Sequence, residues 1–557
     1  MSDELRTPVA GSRWLFWTCF ISLVATSFSF ILRAFAVEAW GVEFDLSETQ
    51  KGELLGVGLW PFAISIVLFS LVVDRIGYGK ALAFAWACHV TSVLLTIFAK
   101  GYWGLYAGTF INAIANGTVE AVINPVVATM FVRNKTKWLN ILHAGWPGGI
   151  MLGGLLTLSL TPDGVLAGLF DNPVGWRTQF LLILVPTGLY GLMLLRARFP
   201  VSERVAAGVS YRAMLQEAGV IGMYLVTLLI VWEVCRVVSN VTALFHADGL
   251  TLFQQWDWQV RQVLTLAAVI SAVLIVPFAI YVCFAPGRWL FILLLLVMIP
   301  LATTELGTDA WMKELMETVM RDTYGLSGLW VLIYSATIMT VLRFGCGPVV
   351  KALSPLGVLA MSAAMAAIGI AAMSQVSAMT GAALLIPLAT TIYGIGQTFF
   401  WPTTLGVVSE RFPRGGALTL NAIAGVGMLG VGIIGTQFMG FVQDQAIHRQ
   451  MRAADAALHA TVMDEPKDGL FGRYQPLDSE KVAALPADDA AVVKDAKAQA
   501  RRTALLTVAA LPVGMCVLYL LLIAYFRMRG GYQAEVLAGH AAPDGKTYTG
   551  GVTGPVE

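Results

Sequence analysis

The chain is built from long apolar stretches separated by short polar punctuation. Trp14–Phe35, Leu54–Val73, Gln179–Leu195, Trp289–Pro300 and Leu505–Phe526 are nearly free of charge. A bilayer-crossing helix needs about 20 mainly apolar residues. In lipid the backbone must satisfy its own hydrogen bonds, which leaves helices and closed barrels. The alternating pattern of barrel strands is missing, so the blocks are expected to be helices. Fourteen spans follow, at about 14–36, 50–73, 80–99, 103–130, 139–160, 177–198, 220–242, 260–284, 288–306, 326–346, 354–374, 378–408, 416–438 and 502–526. The first block is too long for the apolar core of a signal peptide and no small-residue cleavage site ends it, so it reads as the first span.

Composition agrees: 57% of residues are hydrophobic and 13% charged, against about 45–50% and 25% in soluble domains. A net charge of +1 gives no reason to expect nucleic acid as a partner. The six cysteines, Cys19, Cys88, Cys235, Cys283, Cys346 and Cys516, lie in or beside apolar blocks at no metal or redox spacing and read as packing thiols. With no phosphate loop, no clustered metal ligands and six scattered histidines, neither an enzyme nor a cofactor or metal is expected.

The short loops set an orientation. One set holds Arg75, Lys80, Arg133, Lys135, Lys137, Arg196, Arg198, Arg204, Arg212, Arg343, Lys351, Arg411, Arg414, Arg527 and Arg529; the other mixes Lys51, Lys100 and Arg177 with Glu38, Glu43, Asp45, Glu48, Asp163 and Asp171. Positive charge stays inside, so both termini are expected in the cytoplasm, the membrane being a bacterial inner membrane. The chain divides into an N-terminal six-helix bundle (1–200), a linker with two inserted helices (201–286), C-terminal bundle helices (287–440), an extracytoplasmic polar segment (441–500), a last span (501–529) and a disordered cytoplasmic tail (530–557).

An internal repeat sets the architecture. Asn116-Gly117-Thr118-Val119-Glu120, followed by Asn124-Pro125, recurs as Gly394-Ile395-Gly396-Gln397, followed by Trp401-Pro402. Upstream, Ser70-Leu71-Val72-Val73-Asp74-Arg75-Ile76-Gly77 matches Gly347-Pro348-Val349-Val350-Lys351-Ala352-Leu353-Ser354. Two related six-helix halves around a central site form a transporter plan. The fold class is thus an all-α membrane protein of two pseudo-symmetric six-helix bundles plus two inserted helices.

Asp74-Arg75-Ile76-Gly77 with Lys80 resembles the loop motif between the second and third helices of the major facilitator superfamily, with Ser70 where that motif usually has Gly. Glu120, Asn124-Pro125, Asn140 and His143 before a Gly-rich helix resemble the fucose permease branch. The resemblance implies that Glu120 takes up the coupled proton; where that branch has an acidic residue in helix one, this chain has Arg33.

Buried charge in a membrane is costly and points to function. Glu120 is the candidate proton carrier. Asn112, Asn116 and Asn124 share its helical stripe, and amides suit a hydroxyl-rich ligand as well as they suit contacts between helices. Trp146 and Trp401, each beside a proline, can stack on a sugar face; Gln397, Asn421 and His143 are further candidate binding residues, with Gln437 a weaker one. Glu233 and Arg236, three apart, read as a self-neutralising pair. Asp74 and Arg75 read as gating residues. Arg33 and Glu305, near the outer ends of helices one and seven, read as an outer gate. The expected function is proton symport of a small polar solute, a sugar or polyol, across a lipid bilayer. An exporter or antiporter of amphipathic compounds and a non-transporting sensor or assembly subunit are the alternatives. A cysteine replacing Ala457 is expected to be labelled from outside and one replacing Gly530 from inside; labelling of both from the same side would remove one span.

Overall fold

The computed structural model describes residues 12–537 apart from 47, 161–165, 167–173, 244, 246–249, 257 and 377–383. Asp163 and Asp171 of the outer charge set and most of the tail lie outside the described residues. The first half is built from α1 (Ser12–Phe44), α2 (Glu48–Gly56) leading into α3 (Trp60–Ile76), α4 (Tyr78–Ile97), α5 (Tyr102–Met130), α6 (Lys135–His143) leading into α7 (Gly145–Ser159), and α8 (Trp176–Leu181) leading into α9 (Leu184–Leu194). After the short α10 (Glu203–Ala206) come α11 (Tyr211–Ala243), α12 (Leu252–Gln255) and α13 (Val260–Tyr281); α11 and α13 are the inserted pair. The second half holds α14 (Trp289–Ala302), a π turn (Thr303–Gly307), α15 (Thr308–Tyr324), α16 (Leu329–Phe344), α17 (Cys346–Val376), α18 (Leu385–Gln397), α19 (Phe400–Arg411), α20 (Gly416–Gly430), a second π turn (Val431–Gly435) and α21 (Thr436–Ala454). Then follow α22 (Ala456–Val462), a hairpin of β1 (Lys467–Gly469) and β2 (Gly472–Tyr474), α23 (Ser479–Ala483) and α24 (Ala487–Met528).

Among the described residues, twelve helices are long and apolar enough to cross a membrane, and a thirteenth is reached by the pair Leu315–Tyr324 and Leu329–Phe344, bent by 100°. The expected span near 378–408 is made of α18 and α19, interrupted at Thr398 and Phe399. Several expected ends move. The span expected to close at 346 continues into α17, and the chain turns only at Ser354, which has φ +61°. Its mate in the repeat, Gly77, has φ +91° at the corresponding turn. The 441–500 segment is not a separate loop: α21 and α24 run beyond their apolar stretches and enclose a small core of Ile447, Met451, Leu458, Val462 and Val493. The tail is ordered through its first residues. Tyr532 donates to Glu410 at 2.9 Å, the Glu535 amide donates to the Glu410 carbonyl at 2.7 Å, and the Glu535 carboxylate meets Arg288 at 2.7 Å.

Within each half, small residues allow backbones to meet. A Cβ on Gly117 in α5 would strike Ser65 and the carbonyl of Phe62 in α3; on Gly396 in α18 it would strike the backbone of Ala366 in α17. One apolar core runs through both halves, from Phe62 and Ile66 to Leu405 and Val426. Glu233 and Arg236 form their bidentate pair at 2.9 and 2.6 Å. Gly396→Ala is expected to cost about 1–3 kcal/mol of stability through overpacking, read as a lower denaturation midpoint in detergent. Gly188→Ala, where nothing lies within 4 Å, is expected to be neutral; equal midpoints for both would refute the packing argument.

Candidate functional site

Three prolines shape the centre of the molecule. Proline lacks the N–H that a helix directs to the carbonyl four residues back, so Pro125, Pro147 and Pro402 release the carbonyls of Ala121, His143 and Thr398. Each is taken by a side chain. Asn421 of α20 donates to the Ala121 carbonyl at 3.0 Å, crossing from the second half to the first. Arg343 of α16 takes the other two: its Nε donates to the Thr398 carbonyl at 2.6 Å and one Nη to the His143 carbonyl at 2.8 Å. Its remaining Nη meets Glu305 at 3.0 Å. Arg343 is only 1% exposed, so this acceptor set is what holds a guanidinium inside the membrane.

Glu305 stands on the first π turn, a local widening often found at functional sites. The second π turn packs against it: a Cβ on Gly435 would sit 2.5 Å from the Thr303 hydroxyl. Glu305 and Arg343 line a cavity with Glu120, Phe62, Trp146 and Trp401, about 30 Å³ in volume. That is room for water rather than for a solute, so the site is occluded in this conformation. Trp146 stacks on Phe62, with centroids 6.4 Å apart, and Gly427 leaves the space that the Trp401 indole occupies. Glu120 accepts from Asn124 at 2.7 Å, and His143 meets the Asn124 carbonyl oxygen at 2.9 Å. Among the described residues Glu120 forms no ion pair.

The rest of the asparagine stripe turns away from this cavity. Asn116 bonds His89, which bonds Tyr190, both at 2.8 Å. Asn112 accepts from Ser92 at 3.4 Å, and Ser92 accepts from Arg33 at 2.8 Å. These networks tie α5 to α4, α9 and α1. Arg33 also lies over the Phe180 ring, so it is held within the first half and does not pair with Glu305, whose cation is Arg343. Gln397 is fully buried and donates to Ser335 at 2.5 Å. Beside it Tyr393 donates to Asp309 at 3.2 Å. Gln437 is exposed.

One end of the molecule is closed. Lys135 donates to Glu203 at 2.5 Å and to the Ser409 carbonyl at 3.0 Å; Thr136 donates to Glu410 at 2.5 Å and Asn140 to Thr403 at 3.1 Å. Asp74 belongs to this end, but its cation is Arg204 at 2.6 Å, while Arg75 lies over the Tyr211 ring.

Arg343, Asp309, Tyr393 and His89 escape a reading of the sequence. For Arg343 a signal is present. The repeat register that sets Gly77 opposite Ser354 also sets Ile66, a mid-helix residue of α3, opposite Arg343, placing the arginine within the span rather than in the loop. Among the described residues no group of three or more His, Cys, Asp or Glu is placed to hold a metal ion.

Comparison with known proteins agrees with this architecture. The gallate transporter of Pseudomonas putida is 25% identical over 190 residues, 34% of this chain and 39% of that protein. The cis,cis-muconate transport protein of Acinetobacter baylyi is 23% identical over 198 residues, 34% of this chain and 45% of that protein. The match thus spans less than half of either relative's length. Among solved structures, a proton:xylose symporter shares the fold with a TM-score of 0.54 at 14% identity, over 80% of this chain and 91% of that one. The fucose:proton symporter of E. coli does so with a TM-score of 0.51 at 16% identity, over 79% and 93%. The model of the Major Facilitator Superfamily matches residues 18–436. The chain is an integral membrane protein and belongs to the Major Facilitator Superfamily.

Proposed function

We propose that the protein moves a small organic carboxylate together with protons by alternating access, in place of the sugar expected from the asparagine stripe. The observation that carries this reading is Arg343, a buried guanidinium lining the central cavity whose only carboxylate partner among the described residues is Glu305. A guanidinium fork suits a carboxylate better than a hydroxyl. An incoming carboxylate takes the place of Glu305 on Arg343, and Glu305, left without its cation in an enclosed site, binds a proton. Glu120, which faces the same cavity without a countercharge, is the second proton carrier. Phe62, Trp146 and Trp401 supply flat apolar walls for a planar or aromatic acid. The matched relatives carry gallate and cis,cis-muconate in their names, in keeping with an acid. Emptying the site to the closed end requires the Lys135, Thr136 and Asn140 bonds to the second half to part; Asp74 and Arg204 brace that end from the side of α10. A neutral sugar is the second reading, favoured by the indole faces of Trp146 and Trp401.

Two measurements in proteoliposomes with an imposed pH gradient test this. Gallate and muconate are expected to accumulate and glucose, xylose and fucose not to, with Arg343→Gln losing about thirtyfold or more in affinity for the acids and Arg343→Lys keeping part of it. Accumulation of the sugars alone would overturn the reading. Glu120→Gln is expected to abolish accumulation driven by the gradient while solute counterflow persists, because the amide has the size of the protonated acid but no proton to release. Undiminished accumulation in that variant would remove Glu120 as a carrier.

A further inference from the structure

A second cavity, of about 310 Å³, opens where α14, α19 and α24 end together and the tail folds back. It is lined by Arg288, Arg411 and Arg529, by Trp289 and Tyr525, and by Gln533 of the tail. Arg288 is the residue before the first turn of α14, Arg411 the last residue of α19 and Arg529 the residue after the last turn of α24. Three helix ends thus bring their charges to one cavity. Trp289 is 52% exposed and stacks edge-on against Tyr525, with centroids 5.3 Å apart, as aromatic side chains do at a membrane interface.

The charges are not balanced. Arg288 is shared by Glu535 and Glu217, and Arg411 meets Glu535 at 3.3 Å while Glu217 also lies 3.8 Å from Arg414. Arg529 forms no ion pair among the described residues; it lies over the Tyr525 ring, 4.8 Å from its centroid. Arg411 also gives one Nη to the Gln533 carbonyl at 2.5 Å, and its buried Nε has no acceptor. The cavity therefore offers the Arg529 guanidinium, which has no carboxylate partner among the described residues, beside an Arg411 that Glu535 holds from just outside the lining, and it opens beside the half-exposed Trp289. Basic pockets between span ends bind anionic headgroups, and guanidinium groups pair with phosphate oxygens in the same way as with carboxylates.

We propose that this cavity holds the phosphate of an anionic phospholipid, with Arg529 and Arg411 as its donors and Glu535 as its competitor. The test uses the full-length protein, stripped of lipid in detergent. Phosphatidylglycerol, phosphatidylcholine or inorganic phosphate is titrated in, and binding is read both as retained lipid in native mass spectrometry and as a rise in the unfolding temperature. Phosphatidylglycerol is expected to be retained and to stabilise, phosphatidylcholine to do neither. Arg529→Gln is expected to weaken phosphatidylglycerol binding about fivefold, and Glu535→Gln to tighten it, opposite effects that general destabilisation cannot produce. Unchanged binding in Arg529→Gln, weaker binding in Glu535→Gln, or equal stabilisation by inorganic phosphate would each overturn the proposal.

Discussion

Everything at the centre of this protein depends on keeping one guanidinium dry. An isolated charge in low dielectric is prohibitive, and removing one partner of a buried pair typically costs about 3–5 kcal/mol. Arg343 is supported by three acceptors at once, two of them carbonyls at helix breaks where Pro147 and Pro402 supply no N–H. The helix defects and the charge explain each other. Without Arg343, Pro147 and Pro402 would leave two carbonyls unsatisfied in lipid, each costing several kcal/mol. Because His143 belongs to the first half and Thr398 and Glu305 to the second, this exchange also fastens the two halves together at the depth of the cavity.

The seam between the halves adds polar ties to the kind of packing found within them. Inside each half, glycines bring helix backbones into contact, as Gly117 does against α3 and Gly396 against α17. Such contacts do not tolerate sliding. Across the seam, Gly406 also lets α19 meet the Thr136 backbone of α6 and Gly425 lets α20 meet Val67 of α3, and beside these contacts stand single polar ties: Asn421 to Ala121, Asn140 to Thr403, Thr136 to Glu410 and Lys135 to Ser409. Bonds of that kind can break and be replaced by water. Two rigid bodies that meet around a central site are what rocking requires.

Much of this is legible in the order of residues alone. Apolar blocks of bilayer length mark the spans, since lipid allows few other forms, and the Glu120/Gln397 repeat marks the two halves. Legibility ends where side-chain direction decides. Asn112, Asn116 and Asn124 share one stripe, but a stripe is broad enough for the first two to face α4 while the third meets Glu120. It ends again where a span boundary is misplaced: closing the helix at 346 puts Arg343 in water and leaves Glu305 without its cation. Hydropathy alone cannot separate a basic residue at a span end from one buried within it. The partners that keep Arg343 buried are carbonyls set free by distant prolines, which no local window displays.

The helices that run past the membrane lead to a mechanical consequence. α24 has 42 residues, about 63 Å at 1.5 Å per residue, roughly twice the hydrocarbon thickness. Its projecting part is bound to the end of α21 through Val493 and Ile447, so the two form one stiff rod rooted in the second half. A rod of this length is a lever. Rocking of that half by about 10° would sweep a tip 30 Å from the pivot through about 5 Å, a displacement that a pair of spectroscopic distance probes can follow. The polar cap at its end thus serves as a pointer, converting small rotations at an inaccessible cavity into visible travel in solvent.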